Sequence, residues 1–311
     1  GVMAGFCQGG GVGKCIAEWI IDGEPSIDVW AMDVARFGDY ASPQYGTIKS
    51  SENYERRFIM TFPNETLPKG RKQKTTALYD RFVNQGAVMG DSFGLENVLW
   101  FANNKEDAHE EPTIKRSRSH DYVSKEVINV RENVGLIEVA NFSKHEFKGP
   151  DARKFLDHIM AGRLPKPGRI SLSPMLSYRG KLCGDLTVAC LDENEFMVFG
   201  SGAAQEMHRR WFESHIDKFN LSYSNRSDEY HGLSIAGPNS RKVLEKIVRD
   251  DVSNEKFKFR DSRRMFVGGV PALVNRISFT GELGYEIYVA PHYQLKLYDE
   301  LIEAGKEFNI K

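Results

Sequence analysis

Apolar and polar positions along the chain follow two periods, and each period predicts its own kind of element. Strand-like runs occur at 170–176, 182–190, 195–200, 232–236, 267–278 and 286–289. Helical spacing predicts helices at 78–84, 122–133, 205–219 and 293–305. Strands that follow one another without a helix between them are typical of antiparallel sheets, so the pattern predicts an α+β fold.

One stretch of sequence occurs twice. Gly149-Pro150 and Gly237-Pro238 both open the pattern Gly-Pro-x-x-Arg-Lys-x-Leu-x-x-Ile. Each copy follows a predicted strand and places proline where a helix begins, which is the position that proline favours. The sequence therefore predicts a duplicated strand-helix unit. Two widely separated copies are too few for a solenoid.

The most glycine-dense stretch precedes a predicted helix at 14–21. Its glycines are Gly9, Gly10, Gly11 and Gly13. Glycine lets a backbone approach a ligand closely, and a helix N-terminus favours negative charge. The phosphate-loop motif fails because Cys15 follows Lys14, and the GxGxxG motif also fails. We predict a glycine-rich turn before the helix, and a turn that only packs the helix on a strand remains the alternative.

Composition and charge exclude several classes of protein. The 311 residues include 42 Lys+Arg and 43 Asp+Glu, for a net charge of −1, which argues against a dedicated nucleic-acid binder. No apolar run approaches the roughly 20 residues needed to span a bilayer. The four cysteines form no CxxC pair, and the histidines are dispersed, so we predict no metal site.

Two carboxylates are candidates for chemistry. Asp185 lies in the middle of a predicted strand, where aspartate is unfavourable, so an inward side chain would need a partner such as a ligand amine. An outward Asp185 on a solvated face is the alternative. Glu286 follows a glycine-containing turn beside Phe279 and Tyr285. A carboxylate between aromatic walls suits a flat heterocycle with N–H donors, and a hairpin turn with charged edges is the alternative.

These residues lie within a broader resemblance. The chain resembles the folate-binding domain shared by the aminomethyltransferase of the glycine cleavage system (T-protein) and the C-terminal half of dimethylglycine and sarcosine dehydrogenases. The segments that carry the resemblance are 9–29, 33–37, 52–54, 76–81, 173–176, 180–187, 236–238 and 279–286. They follow the family's order over essentially the whole chain.

The resemblance implies a set of site residues. Asp185 matches the family's aspartate near the reacting amines, and Glu286 matches the glutamate that hydrogen-bonds the pterin ring of tetrahydrofolate. Phe279 and Leu172 stand where the T-protein pattern has tyrosines, so two hydroxyls are lost, and Tyr285 completes the expected aromatic surroundings. These departures favour the dehydrogenase fusion over a stand-alone T-protein. The four glycines at 9–13 would place a helix N-terminus near the ring of FAD.

The resemblance also implies a domain plan and an activity. We expect the end of an FAD-binding α/β domain at 1–24, a middle segment at 25–85 and a truncated folate-binding domain at 86–311. The chain would be a piece of an enzyme that oxidises dimethylglycine- or sarcosine-type N-methyl amines and passes the one-carbon unit to tetrahydrofolate. We expect the piece to hold no FAD and to be inactive alone.

Two alternatives remain open at this point. One is a stand-alone folate-dependent aminomethyltransferase or a demethylase for another methylated amine, and the other is a non-catalytic regulatory relative. Partners would be the amine, the folate and an electron acceptor that the sequence does not identify. We expect no membrane span and no nucleic acid. We expect a cytoplasmic location in a bacterium or the mitochondrial matrix in a eukaryote.

Overall fold

A computed structural model describes residues 5–63 and 65–311, so the first four residues of the predicted segment 1–24 lie outside the described residues. The helices are α1 (Phe6–Asp22), α2 (Pro43–Glu55), α3 (Tyr79–Asn84), α4 (Ser119–Glu132), α5 (Ala152–Ile159), α6 (Gln205–Glu213), α7 (Ser240–Ile247) and α8 (Gln294–Gly305). The strands are β1 (Ala87–Ser92), β2 (Leu95–Phe101), β3 (Gly135–Glu138), β4 (Ser143–Lys148), β5 (Arg169–Leu176), β6 (Leu182–Asp192), β7 (Glu195–Gly200), β8 (Ser222–Asn225), β9 (His231–Ala236), β10 (Ser262–Val267), β11 (Val270–Asn275) and β12 (Gly284–Val289).

Two five-stranded sheets form the body of the fold. One has the order β10-β11-β12-β9-β3 and carries Glu286, and we call it the Glu286 sheet. The other has the order β5-β6-β7-β4-β8 and carries Asp185, and we call it the Asp185 sheet. Every pairing within them is antiparallel. The strands β1 and β2 form a separate hairpin.

Each sheet buries one face under helices and turns the other face toward its neighbour. Leu244 of α7 and Leu301 of α8 belong to the core of the Glu286 sheet. Leu156 of α5 and Phe212 of α6 belong to the core of the Asp185 sheet. A third apolar cluster joins the two sheets; its buried members are Val139, Ile170, Ala189, Met197, Phe199, Leu273 and Tyr288. The result is a helix–sheet–sheet–helix arrangement, and we call the contact between the sheets the seam.

The duplication predicted from sequence is confirmed by the structure. Gly149 has φ 138° and leads into α5, and Gly237 has φ 128° and leads into α7. Only glycine adopts such φ values without strain, so each glycine ends a strand and starts a helix in the same way. The prediction of an α+β fold is confirmed as well.

The glycine-rich segment differs from its prediction. Gly9, Gly10, Gly11 and Gly13 lie inside α1, which begins at Phe6, so the predicted turn before a helix at 14–21 is wrong. Glycine weakens a helix by up to about 1 kcal/mol but does not forbid it. The start of α1 is instead marked by Gly5, with φ 52°.

The helix α1 is unusually exposed. It contains no buried residue, and Ile20 and Ile21 each expose about four fifths of their surface. Along the described ranges, no helix combines the length and apolar character needed to cross a bilayer.

Candidate functional site

The centre of the seam is a stack of two aromatic rings. Phe199 of β7 and Tyr288 of β12 lie with ring centroids 4.6 Å apart and ring planes 28° apart. Both side chains are almost fully buried. Because neighbours two residues apart on a strand point to the same face, this stack defines which other residues face the seam.

Glu286 lies two residues before Tyr288 and therefore on the same face of β12. Its side chain is buried, with 8% of its surface exposed. The Tyr288 hydroxyl donates to Oε2 of Glu286 at 2.8 Å, and burial raises the pKa of Glu286. Among the described residues, no group donates to Oε1. The site thus offers an unpaired acceptor oxygen on a largely buried carboxyl, which suits an N–H donor of a ligand.

Asp185 approaches the seam from the other sheet. Thr187 pairs with Phe199 across β6 and β7, and paired residues project to the same side, so Asp185 shares the seam face. Its Cα partner on β5 is Pro174. The side chain is exposed. An exposed carboxylate at this place is free to hydrogen-bond or exchange a proton with a bound molecule.

The two carboxylates flank the same end of the seam. At the opposite end, Leu191 of β6 lines a cleft together with Pro271 and Ala290 of the Glu286 sheet. Asp185 and Leu191 lie on either side of Ala189 along β6, so Asp185 lies at the end of the strand away from that cleft. Glu286 likewise lies on the side of Tyr288 away from Ala290. Asp185 and Glu286 therefore lie at the end of the seam away from the cleft.

The other predicted ligand-binding side chains are placed differently. Leu172 pairs with Thr187 and lies, 61% exposed, on the seam face beside Asp185. Phe279 is 94% exposed in the turn between β11 and β12. Both side chains are open to a ligand.

The prediction that Tyr285 forms an aromatic wall beside Glu286 is wrong. Tyr285 points to the opposite face of β12 and is fully buried in the core of that sheet. It stacks on Phe257, with centroids 6.0 Å apart, and accepts a hydrogen bond from Arg241 Nε. Adjacent strand residues face opposite sides, so the neighbour of Glu286 in sequence is not its neighbour in the site.

The glycines predicted on the FAD side do not form a dinucleotide cradle. Inside α1 the backbone N–H groups of Gly9, Gly10, Gly11 and Gly13 take part in helical geometry. A flavin or pyrophosphate would need free, converging N–H groups, as at a helix N-terminus. These four residues therefore do not fit the role predicted for them.

Two residues at the seam were not predicted. Tyr288 supplies the ring of the stack and the hydroxyl that holds Glu286. Lys144 is fully buried, and its Nζ donates to the Ala140 carbonyl at 2.7 Å and lies 6.0 Å from the centroid of the Tyr288 ring. Burial lowers the pKa of Lys144 to about 7. The alternation Glu286-Ile287-Tyr288 could have indicated Tyr288, whereas Lys144 carries no local signal.

No metal centre is evident in the described part of the chain. Within it, no three His, Cys, Asp or Glu side chains come together in a way that could hold an ion. The cysteines Cys7, Cys15, Cys183 and Cys190 are all free.

Comparison with known families identifies two regions. Residues 78–311 match the family described as the GCVT N-terminal domain. Residues 22–76 match the family described as the FAD dependent oxidoreductase central domain. The first match covers both five-stranded sheets and the whole seam.

Individual proteins agree with this assignment. Human mitochondrial dimethylglycine dehydrogenase is 34% identical over 310 residues, which cover 98% of this chain and 36% of that protein. Human mitochondrial sarcosine dehydrogenase is 27% identical, with 99% of this chain and 38% of that protein covered. This chain thus spans a little over a third of the length of these relatives.

A solved structure shows the same fold. The glycine cleavage system aminomethyltransferase T from Bartonella henselae superposes with a TM-score of 0.63 and 21% sequence identity. The superposition covers 76% of this chain and 58% of that one.

Proposed function

The chain belongs to the GCVT N-terminal domain family, and on that premise we propose that the Asp185–Glu286 end of the seam binds tetrahydrofolate and helps it take up a one-carbon unit. The observation that carries the proposal is that Oε1 of Glu286 accepts no hydrogen bond from the described residues, although the residue is only 8% exposed. A pterin ring presents adjacent N–H donors, and a desolvated carboxyl oxygen is a strong acceptor for them.

Each residue of the site has a distinct role in this proposal. Glu286 accepts hydrogen bonds from the pterin edge, and Tyr288 holds its carboxyl in place from the other side. Asp185 holds or moves a proton as a general acid–base group where the amines react. Leu172 and Phe279 supply apolar contacts to the flat ring. Tetrahydrofolate itself would supply the nucleophilic nitrogens that carry the one-carbon unit.

We further propose the role of the whole protein. It would oxidise a dimethylglycine- or sarcosine-type N-methyl amine with FAD and deliver the released carbon to the folate site. The similarity to two mitochondrial dehydrogenases over nearly the whole chain supports this. The proposed division is the end of the FAD domain at 1–24, a middle segment at 25–85 and the folate domain from 86, with the matrix as the location in a eukaryote.

A titration with tetrahydrofolate tests the proposal. Isothermal calorimetry should show binding to the wild-type chain and at least about tenfold weaker binding to Glu286→Gln, since a hydrogen bond to a charged group contributes about 1.5–3 kcal/mol. The thermal stability of Glu286→Gln should not fall, for two reasons. The amide has nearly the same shape as the carboxyl, and it is neutral at a place where burial disfavours the charged carboxyl.

Glu282→Gln is the matched control. Glu282 lies in the turn before the same strand and pairs with Arg131 at 3.8 Å, away from the seam face of β12. Its replacement should leave the dissociation constant unchanged. Equal binding by wild type and Glu286→Gln, or equal weakening by both variants, would contradict the proposed site.

A further inference from the structure

Three buried polar atoms on the helix side of the Asp185 sheet have no hydrogen-bond partner among residues 5–63 and 65–311. They are Ser143 Oγ, His145 Nε2 and His208 Nδ1. Ser143 and His145 lie two residues apart on β4 and point to the same face, and His208 of α6 packs against that face. An unpaired buried polar atom costs about 1–3 kcal/mol, so three of them in one place call for a missing partner.

Two of the three atoms approach Gly200. Gly200 pairs with Ser143 across β7 and β4. A Cβ built on Gly200 would lie 3.0 Å from His208 Nδ1 and 3.1 Å from Ser143 Oγ, with Leu186 Cδ2 at 2.6 Å, so both polar atoms lie at the edge of the apolar core beside this glycine. The rings of His145 and His208 lie edge to face, with centroids 6.2 Å apart.

The remaining hydrogen bonds fix which ring nitrogen carries the proton. Burial lowers the pKa of His145 to about 3 and of His208 to about 4 and raises the pKa of Tyr223, so all three are neutral near pH 7. Tyr223 lies 2.9 Å from His145 Nδ1 and can donate to it, which leaves Nε2–H of His145 as a donor. His208 Nε2 faces the main chain of β6 at Cys183 and Gly184, 3.1 Å from the position of a Cβ on Gly184, so this nitrogen is placed to carry the proton and Nδ1 is left as an acceptor.

We propose that Ser143, His145 and His208 bind one internal water molecule, and that His208, through its Nε2 side, positions the strand segment that carries Asp185. The water accepts from His145 Nε2–H, donates to His208 Nδ1 and exchanges its third hydrogen bond with Ser143 Oγ. One molecule thereby satisfies all three atoms, and buried waters typically make about three such bonds. A directed chain of hydrogen bonds then runs from Tyr223 through His145 and the water to His208.

The chain of hydrogen bonds ends beside the strand that carries Asp185. His208 Nε2 lies 3.1 Å from the position of a Cβ on Gly184, and Gly184 immediately precedes Asp185 on β6. His208 is therefore a positioning residue, since it acts on the site face through the main chain of β6. This part of the inference rests on the proposed folate function, whereas the water site does not.

Crystallography tests the water site directly. A high-resolution structure of the purified protein should show one peak about 2.6–3.2 Å from all three atoms. Absence of the peak, or direct hydrogen bonds among the three side chains, would refute the water site. Elemental analysis and anomalous scattering would reveal a transition metal bound at Ser143, His145 and His208. A stoichiometric metal ion there, in place of the water, would equally overturn the proposal.

Two substitutions separate the two ring nitrogens of His208. His208→Gln keeps a donor near the Nε2 position for the main chain of β6, and His208→Asn keeps an acceptor near the Nδ1 position for the water. We expect tetrahydrofolate to bind His208→Gln within about threefold of wild type and His208→Asn about tenfold more weakly. Crystals of His208→Asn should retain the water peak, and crystals of His208→Gln should show it weakened or lost.

Leu156→Ala is the control for a general loss of stability. Leu156 lies on α5 in the same core as His208. Its truncation should lower the melting temperature by at least as much as either His208 substitution does, without changing the folate dissociation constant. Unchanged folate affinity in His208→Asn would disprove the positioning role of His208. The water site would then be decided separately, by the presence or absence of the peak in the crystal structure. If wild type does not bind folate, the proposed function fails, and the density at Ser143, His145 and His208 still decides the water site.

Discussion

The Tyr288 hydroxyl donates to Glu286 Oε2 at 2.8 Å from two residues further along the same strand. Tyr285, the immediate neighbour of Glu286, points into the opposite core. The two tyrosines of β12 thus serve different sides of one sheet. This makes them a natural pair for separating the role of the site from the stability of the fold.

Replacing Tyr288 by phenylalanine should weaken folate binding. The variant removes the donor that orients Glu286 and leaves the carboxyl without a partner in a buried place. We expect the dissociation constant for tetrahydrofolate to rise about three- to tenfold and the free energy of unfolding to fall by about 1 kcal/mol. Calorimetric titration and urea denaturation measure the two effects.

Tyr285→Phe is the matched variant on the other face. It loses the hydrogen bond from Arg241 Nε, which is 3.1 Å long, so its free energy of unfolding should fall by a similar amount. Its folate affinity should equal that of wild type. A folate dissociation constant that rises equally in both variants would show that the effect comes from the stability of β12 alone.

Removing the carboxylate at Asp185 should slow the reaction with folate. A positioned acid–base group typically contributes about 10²–10⁴-fold to a rate. We expect Asp185→Asn in the full-length enzyme to lower the rate of methylene-tetrahydrofolate formation by a factor in that range, with amine oxidation unaffected. Asp192→Asn at the far end of β6 is the control and should retain the wild-type rate. A normal rate in Asp185→Asn would rule out the acid–base role.

Lys144 should give the stability of the protein a characteristic pH dependence. Its pKa is about 7 when folded, against about 10.5 as the ordinary value. Between these pH values the unfolded state binds the extra proton, so the free energy of unfolding should rise with pH by up to about 1.4 kcal/mol per unit. Lys144→Met should lack this part of the slope in urea denaturation series.

The control for this measurement is an exposed lysine. Lys154→Met on α5 removes a side chain that lies in solvent and should leave the slope between about pH 7 and 10 intact. An unchanged slope in Lys144→Met would mean that the buried amine keeps its ordinary pKa through water access.

Replacing the glycine that opens either copy of the repeat should destabilise the protein to a similar extent. A Cβ on Gly149 would lie 2.7 Å from Leu221 Cα, and one on Gly237 would lie 2.6 Å from the Asn133 carbonyl oxygen. Both glycines also have positive φ. We expect Gly149→Ala and Gly237→Ala each to lower the free energy of unfolding by about 1–3 kcal/mol or more.

Gly46→Ala provides the opposite case. Gly46 lies in α2, and apart from its chain neighbours and the nearby backbone of that helix, no atom of the described residues lies within 4 Å of a Cβ built there. Alanine is the better helix former, so the variant should gain up to about 1 kcal/mol. Denaturation curves that show a gain for Gly149→Ala as well would mean that the repeat tolerates a different turn.

The sequence predicted the fold class because the relevant signals are local. The strand pattern and the paired Gly-Pro starts depend on residues close in sequence, and α5 and α7 lie where the repeat placed them. The predicted boundaries of the individual strands were less reliable than the fold class. The strand predicted at 267–278 is β11 at Val270–Asn275, which begins only after Gly268 and Gly269, with positive φ, reverse the chain, and β10 before this turn was not predicted.

The site could be predicted only in part. The positions of Asp185 and Glu286 in strands followed from the sequence, but their common seam depends on how two sheets pack. Tyr285 was misplaced because strand alternation assigns it to the other face. Lys144 could not be predicted, since its burial results from contacts with residues far away in sequence, such as Ser227.

The seam leaves each half of this fold with a helix-covered core of its own. Neither of these two cores contains Leu172, Asp185 or Glu286. A substitution at an exposed position of the seam, such as Leu172, therefore changes the surface offered to a ligand without opening a cavity in either core.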